Sequence, residues 1–274
     1  MCAKKYAKIG CLLKSYDIIY YLNGLIMTVM KGLLIRIGID SEFGGWNSPC
    51  DVKTNEFLYI PIPENQDVKQ EFITKYDALI PLINKFAIQH GVDFSSLSFP
   101  YDLYGKNMHM DPDFAFLTYG DNSVGRGSRL AELSPGDFIV FYSSFKPVSI
   151  TTEKFVYALI GFYVIDEIVP ADKFKKDRLH ENAHTRKRNI AETDIVVRGK
   201  SGLSGRLEKC IPIGEYRNRS YRVKQDILDE WGGLAVKDGF IQRNNPYPWF
   251  LDPERFTSWL KKYRINLIQR NNIV

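Results

Sequence analysis

The densest grouping of reactive side chains in this sequence is His109-Met-Asp-Pro-Asp, which puts one imidazole and two carboxylates within five positions. Groups of these types so close together can hold a divalent cation or supply a general base. In extended backbone the two-residue period sends His109, Asp111 and Asp113 to one face. Pro112 interrupts a regular ladder, and Asp-Pro-Asp is equally ordinary turn chemistry. With Asp40 brought alongside by folding, Asp40, His109, Asp111 and Asp113 form the catalytic set of an enzyme reading, a metal-assisted hydrolase or transferase acting on a nucleotide. The sequence by itself assigns no metal site and no cofactor. His180 and His184, four apart, would share a helix face, but no H-E-x-x-H signature is present and basic neighbours disfavour a cation, so they read as a solvated basic stretch. Cys50 has no local base that would make it a nucleophile.

Three further segments suit anions. The loop from Gly38 to Pro49 gathers Asp40, Ser41, Gly44, Gly45, Asn47 and Ser48 directly after a strand pattern, where backbone amides freed by glycine can cradle a phosphate; a plain glycine-rich turn explains it equally well. The stretch from Tyr119 to Arg129 carries Arg126 and Arg129, whose forked guanidinium groups suit bidentate phosphate contacts, beside Tyr119 and Phe116, which suit base stacking. After a later strand pattern, Ser201, Ser204 and Arg206, with nearby Arg198, repeat the same mixture of glycine, hydroxyl and arginine. The competing reading for each is a solvated surface loop.

Charge supports an anionic partner. The formal net charge is +5, and between Lys173 and Arg188 seven basic side chains face only Asp177 and Glu181. A second basic run extends from Arg198 to Lys224. Both favour anions on the C-terminal half. The four cysteines, Cys2, Cys11, Cys50 and Cys210, have neither zinc-ligand nor disulfide spacing, and a reducing cytoplasmic setting is the simpler expectation. The broken apolar stretch from Ile18 to Met30 is too short to span a bilayer and is followed by no small-residue cleavage site. Residues 1–29 therefore read as an upstream extension, and 30–274 as a single domain.

These groups need elements to position them. Gly32 to Ile37 reads as a buried strand, Phe57 to Ile62 as the next, and Leu79, Ile80, Ile83, Phe86 and Ala87 as the apolar face of a helix stopped by Gly91. Ser134-Pro-Gly-Asp signals a turn before two long β-rich runs, Phe138 to Phe145 and Phe155 to Val169. Asp194 to Val197 and Cys210 to Ile213 add short strands. Val223, Ile227, Leu228 and Trp231 outline a helix ended by Gly232-Gly233, and Asp252-Pro-Glu opens the last helix. The sum is an α+β fold built on a mixed, strongly curved sheet with flanking helices.

Taken in order, Gly38-Ile-Asp-Ser with Gly44-Gly45, Pro61-Ile-Pro-Glu, His109-Met-Asp-Pro-Asp, Leu133-Ser-Pro-Gly-Asp-Phe-Ile-Val-Phe-Tyr and Ala158-Leu-Ile-Gly-Phe resemble the third of the nucleotide-modification-associated domain families, found in prokaryotes and phages beside enzymes of DNA base modification. The resemblance covers most of the chain from Met30. It implies a nucleotide-related role and supplies no catalytic residue. The turn at Pro135-Gly-Asp and the two strands after it are also similar to the core hairpin of PUA-like domains, an analogy that implies a small barrel with a base pocket. The leading expectation is a binding protein for DNA, RNA or a nucleotide, associated with base modification or defence and with base-modification enzymes as partners. Arg126, Arg129, Arg198 and Arg206 would contact phosphate while Tyr119 stacks a base.

Overall fold

The run from Val156 to Pro170 is rich in β-branched and aromatic residues, which lose little by extending and gain by packing on both faces of a sheet. It becomes the longest strand and the spine of the fold. The computed structural model describes residues 20–22, 25–27, 29–40, 45–97, 99–149, 151–152, 154–243 and 245–272. They fall into two compact units, Met1–Met30 and Lys31–Val274. The first contains an antiparallel hairpin, Tyr20–Leu22 with Leu25–Met27.

The second unit is built on an eight-stranded mixed sheet. Its strands are β1 (Gly32–Arg36), β2 (Pro49–Cys50), β3 (Thr118–Asn122), β4 (Phe138–Pro147), β5 (Val156–Pro170), β6 (Asp194–Gly199), β7 (Gly205–Pro212) and β8 (Leu267–Ile268). β4 runs antiparallel to β5 with Val140 opposite Phe162, and parallel to β1 with Leu34 opposite Val140. The distal half of β5 continues against β6, which carries β3 on its other edge with Val196 opposite Gly120. β7 pairs with the proximal half of β5 and with β8.

The α+β expectation holds, and the sheet is mixed. It does not close into a barrel: β3 and β8 end the path β8-β7-β5-β6-β3 without pairing to each other. The strand expected over Phe57 to Ile62 also differs. Phe57 makes an isolated bridge to Cys50, and Tyr59 exchanges both backbone bonds with the Asn272 side-chain amide at 2.8 Å each, so a side chain stands where a neighbouring strand would be. Ladder pairing begins only at Ile62–Pro63, which meets Met108–His109.

Among the described residues five α-helices accompany the sheet: α1 (Ile80–Gln89), α2 (Phe94–Leu97), α3 (Ala183–Arg186), α4 (Gln225–Trp231) and α5 (Pro253–Lys262). Gly232 ends α4 in the left-handed region at φ 76°, and the Asp252 side chain caps α5 by accepting from the Arg255 amide, as the sequence leads one to expect. One core lies against the sheet around Phe114, Phe141 and Tyr163. A second gathers under α1 around Trp46, Tyr76 and Phe86. Trp231, Phe250, Phe256 and Trp259 pack the last two helices together, with Phe256 stacked on Phe138 of β4. No helix among the described residues is long and apolar enough to cross a membrane.

Candidate functional site

The Ile62–Pro63 ribbon puts Ile62 opposite His109, and Glu64, next in sequence, reaches back so that Glu64 Oε2 lies 2.7 Å from His109 Nδ1. Two residues on, Asp111 sits on the same side, with its Oδ2 3.9 Å from His109 Nε2. The backbone then turns. The Pro112 carbonyl accepts the Tyr59 hydroxyl at 2.9 Å, and the Asp113 carbonyl accepts that of Tyr163 at 3.3 Å. The turn holds Asp111 in place and sends Asp113 elsewhere.

A third side chain arrives from far along the chain. Asn182 caps α3, accepting the His184 amide at 2.9 Å, while its own amide donates to Asp111 Oδ1 at 2.9 Å. One residue thus fixes both the helix that carries His184 and the carboxylate that His184 faces. His184 Nε2 lies 3.6 Å from Asp111 Oδ2, and its Nδ1 lies 2.8 Å from Asp194 Oδ2 at the start of β6. The Gly120 amide completes the set by donating to both Asp111 oxygens, at 2.9 and 3.1 Å. Gly120 is required here by space, since a Cβ on it would come within 2.6 Å of the His184 ring.

His109, Asp111 and His184 therefore offer three ligand atoms that all lie within 4.8 Å of one another. A first-row metal at about 2.1 Å from each of two tetrahedral ligands separates them by roughly 3.4 Å, close to the distances seen. Each imidazole has a carboxylate within hydrogen-bond distance of its Nδ1, with Lys187 Nζ also 3.2 Å from that of His184; a carboxylate there favours the proton on Nδ1 and so turns the Nε2 lone pair inward. Two imidazole lone pairs and a carboxylate oxygen facing one another repel unless a proton or a cation lies between them.

The electrostatics agree. Burial pushes the Asp111 carboxyl up to about 6, against the pull of His184, His109 and the Gly120 and Asn182 hydrogen bonds. Burial works the same way on Asp194, but hydrogen bonds and charge from His184 and Lys187 outweigh it and hold Asp194 at about 2. Glu64 likewise falls below its usual range against burial, through its bond to His109.

The cluster lines a pocket of about 210 Å³ whose other walls include Arg36, Gly38, Tyr119, Asp121 and Arg126. The Arg126 guanidinium lies over the Tyr247 ring, 5.4 Å from its centroid, and 3.7 Å from Asp121. The Tyr247 hydroxyl donates to Asp121 and sits 2.7 Å from that of Tyr119. Burial raises both phenols well above their usual range.

Several expected residues lie elsewhere. Asp40 does not join the cluster: it is fully buried and ion-paired with Arg36 at 2.5 Å. Asp113 accepts Arg186 at 2.6 Å and Asn271 at 2.9 Å, which commits both oxygens to tying down the turn. Tyr119 reaches the pocket, but its ring is packed in the core against Phe141 and is not displayed for stacking. Arg126 lines the pocket, whereas Arg129 donates to the Tyr247 carbonyl and faces another hollow. Arg198 is held by Glu167 and Glu181. Arg206 is buried over the Phe57 ring at 3.9 Å, where burial lowers it to about 10. The Ser204 hydroxyl donates to the Val164 carbonyl and accepts its amide. Ser41 and Gly44 lie outside the described residues, and Gly45 is exposed with open space around it. Among the described glycines of that loop, Gly38 lines the pocket.

The site contains residues the sequence did not single out: Glu64, Asn182 and Asp194, with His184 dismissed as solvated. His184 is buried, because Lys187 and Arg186, the neighbours that argued against a cation, spend their charge on Asp194 and Asp113. The legible signal was the four-residue spacing of His180 and His184; of the two, only His184 is in the cluster.

Comparison with curated proteins and with solved structures gives no match. The model of one family, nucleotide modification associated domain 3, matches residues 31–262, nearly all of the larger unit and every residue of the cluster. The chain belongs to the nucleotide modification associated domain 3 family.

Proposed function

We propose that the chain is a divalent-metal enzyme of nucleotide chemistry, with the ion held by His109 Nε2, Asp111 Oδ2 and His184 Nε2. One observation carries the reading: both imidazoles turn Nε2 towards the same Asp111 oxygen while Glu64 and Asp194 hold their far nitrogens. Carboxylate-backed histidines are how proteins orient metal ligands. Two imidazoles with one carboxylate favour Zn²⁺, Fe²⁺, Mn²⁺ or Co²⁺ over Mg²⁺ or Ca²⁺, which prefer all-oxygen shells.

Three protein ligands leave positions for water and for a substrate oxygen. Such an ion polarises a phosphoryl or carbonyl oxygen and makes a bound water acidic enough to attack near neutral pH. Hydrolysis or group transfer on a nucleotide is the chemistry this supports. Arg126 at the pocket wall supplies a guanidinium for the phosphate, and the nucleotide itself is taken from the family's description. The pocket holds the reacting part of a nucleotide and is smaller than a whole one needs.

The test is titration of the metal-stripped chain with Co²⁺, followed by its visible absorption, then incubation of the loaded protein with nucleotides and mass analysis of the products. Stoichiometric binding, lost in His184→Ala, is the expected result. A wild-type chain that takes up neither Co²⁺ nor Zn²⁺ at micromolar concentration ends this reading.

A further inference from the structure

The segment 241–247 serves two cavities. Towards the metal pocket, the Gln242 carbonyl accepts Arg36, and the Tyr247 ring and hydroxyl meet Arg126 and Asp121. The same segment also contributes Arg243 to a second hollow of about 460 Å³, whose walls include Arg129, Arg222, Lys237 and Phe240. No carboxylate lines it among the described residues. Arg222 is fixed there by the Lys237 and Asp238 carbonyls at 3.1 and 3.2 Å and lies over Phe240. Arg222 also pairs with Asp238, 3.4 Å away, which is shared with Arg217.

Arg129, Arg222, Lys237 and Arg243 around one cavity give it a basic lining that suits an anion. Three of them are arginines, whose forks match phosphate. The connection to the metal pocket is short. Arg126 and Arg129 lie three residues apart on one 3-10 segment, Gly125–Glu132. Side chains so placed stack on one face, about 6 Å apart along the axis. Arg126 enters the metal pocket, Arg129 enters the second hollow, and Tyr247 lies between, touching both.

We propose that the second hollow binds backbone phosphates of a polynucleotide strand whose target nucleotide enters the metal pocket, so that the substrate is a strand and not a free nucleotide. The proposal rests on the nucleotide reading of the metal pocket for what is acted upon, and on the four cations for the strand.

The experiment is fluorescence anisotropy of an end-labelled ten-nucleotide strand, as oligo(dT) and as oligo(rU), with the full chain in EDTA at several salt concentrations. At least one strand is expected to bind about tenfold or more tightly than the labelled mononucleotide, with a log–log salt slope near −0.7 for each phosphate engaged; which strand binds tells DNA from RNA. Charge reversal of two exposed side chains, Lys237→Glu with Arg243→Glu, is expected to lower that affinity at least about tenfold and to flatten the slope. Neutralisation at the same positions to Gln is expected to give a smaller loss of affinity in protein that circular dichroism shows to be folded. The proposal is overturned by strand affinity no greater than that of the mononucleotide, by indifference to both double variants, or by equal competition from poly-aspartate. EDTA removes the metal from this assay, so failure here leaves the Co²⁺ titration to decide the metal site on its own.

Discussion

Gly120 and His184 are packed so closely that a methyl group on the glycine would stand 2.6 Å from the imidazole Cδ2 and 2.7 Å from the Asn182 side-chain oxygen. Real side chains do not approach so far, so the strand carrying Gly120 and the helix carrying His184 are set against each other by the absence of a side chain. Gly120→Ala is expected to push the imidazole off its line to Asp111 and to lower Co²⁺ affinity about tenfold or more, with about 1–3 kcal/mol lost from stability through overpacking. Isothermal calorimetry and denaturant unfolding on the same variant separate the two effects.

Glu64 and Asp194 meet the two histidines of the cluster at their outer nitrogens and not at Nε2, so their removal should act on the metal through orientation. Glu64→Gln and Asp194→Asn are each expected to weaken metal binding by about 10- to 100-fold while leaving stoichiometry unchanged. Calorimetry reads this directly. Unchanged affinity in both variants would mean that the carboxylates serve packing alone.

The two acids of the cluster should move stability in opposite directions with pH. Asp194 sits at about 2 in the folded chain, below the ordinary carboxylate value of 3.8, so its contribution is complete above about pH 4 and fades as pH falls towards 2. Asp111 sits at about 6, above the ordinary value, so the folded chain binds the extra proton and loses stability as pH rises from about 4 to 6. Asp111→Asn in the metal-free protein should remove that second decline, and Asp194→Asn should remove the first. Each is worth about 1–2 kcal/mol after solvent screening. Urea unfolding of the three proteins across pH 3 to 7 checks both signs. Metal affinity should fall below about pH 6, as Asp111 takes up its proton.

Arg198 tests the boundary between structure and binding. Its guanidinium bonds to Glu167 and Glu181 and donates to the Phe116 carbonyl, beneath the turn that leads into β3. Arg198→Met leaves Glu167 and Glu181 to share Arg178 alone and is expected to cost about 1–2 kcal/mol, with strand affinity and its salt slope unaltered in protein that remains folded. A lowered salt slope would return this residue to the phosphate contacts.

The tail supports the site from below. Asn271 accepts the Phe114 amide at 2.7 Å and donates to Asp113 at 2.9 Å, and Asn272 pairs with the Tyr59 backbone. Ending the chain at Arg270 removes these bonds and should cost about 2–4 kcal/mol. It should also raise amide exchange around the turn at 111–113, which hydrogen-exchange mass spectrometry resolves.

Local patterns in the sequence determined the order of the main strands, both terminal helices with their caps, and the pairing of His109 with Asp111, because two-residue and 3.6-residue periods and capping chemistry act between neighbours in the chain. They could not determine which charges survive burial. Arg198, Arg206 and Asp113 have the same composition signature as binding residues, and only tertiary packing shows their charge spent on Glu181, on the Phe57 ring and on Arg186. His184 is the converse case. It lies in a basic run that reads as repelling a cation, yet Asn182 and Asp194 turn it towards an acid 73 positions earlier in the chain. A metal centre is a long-range relationship between side chains, and spacing along the chain carries no information about it unless the ligands share one helix or one strand.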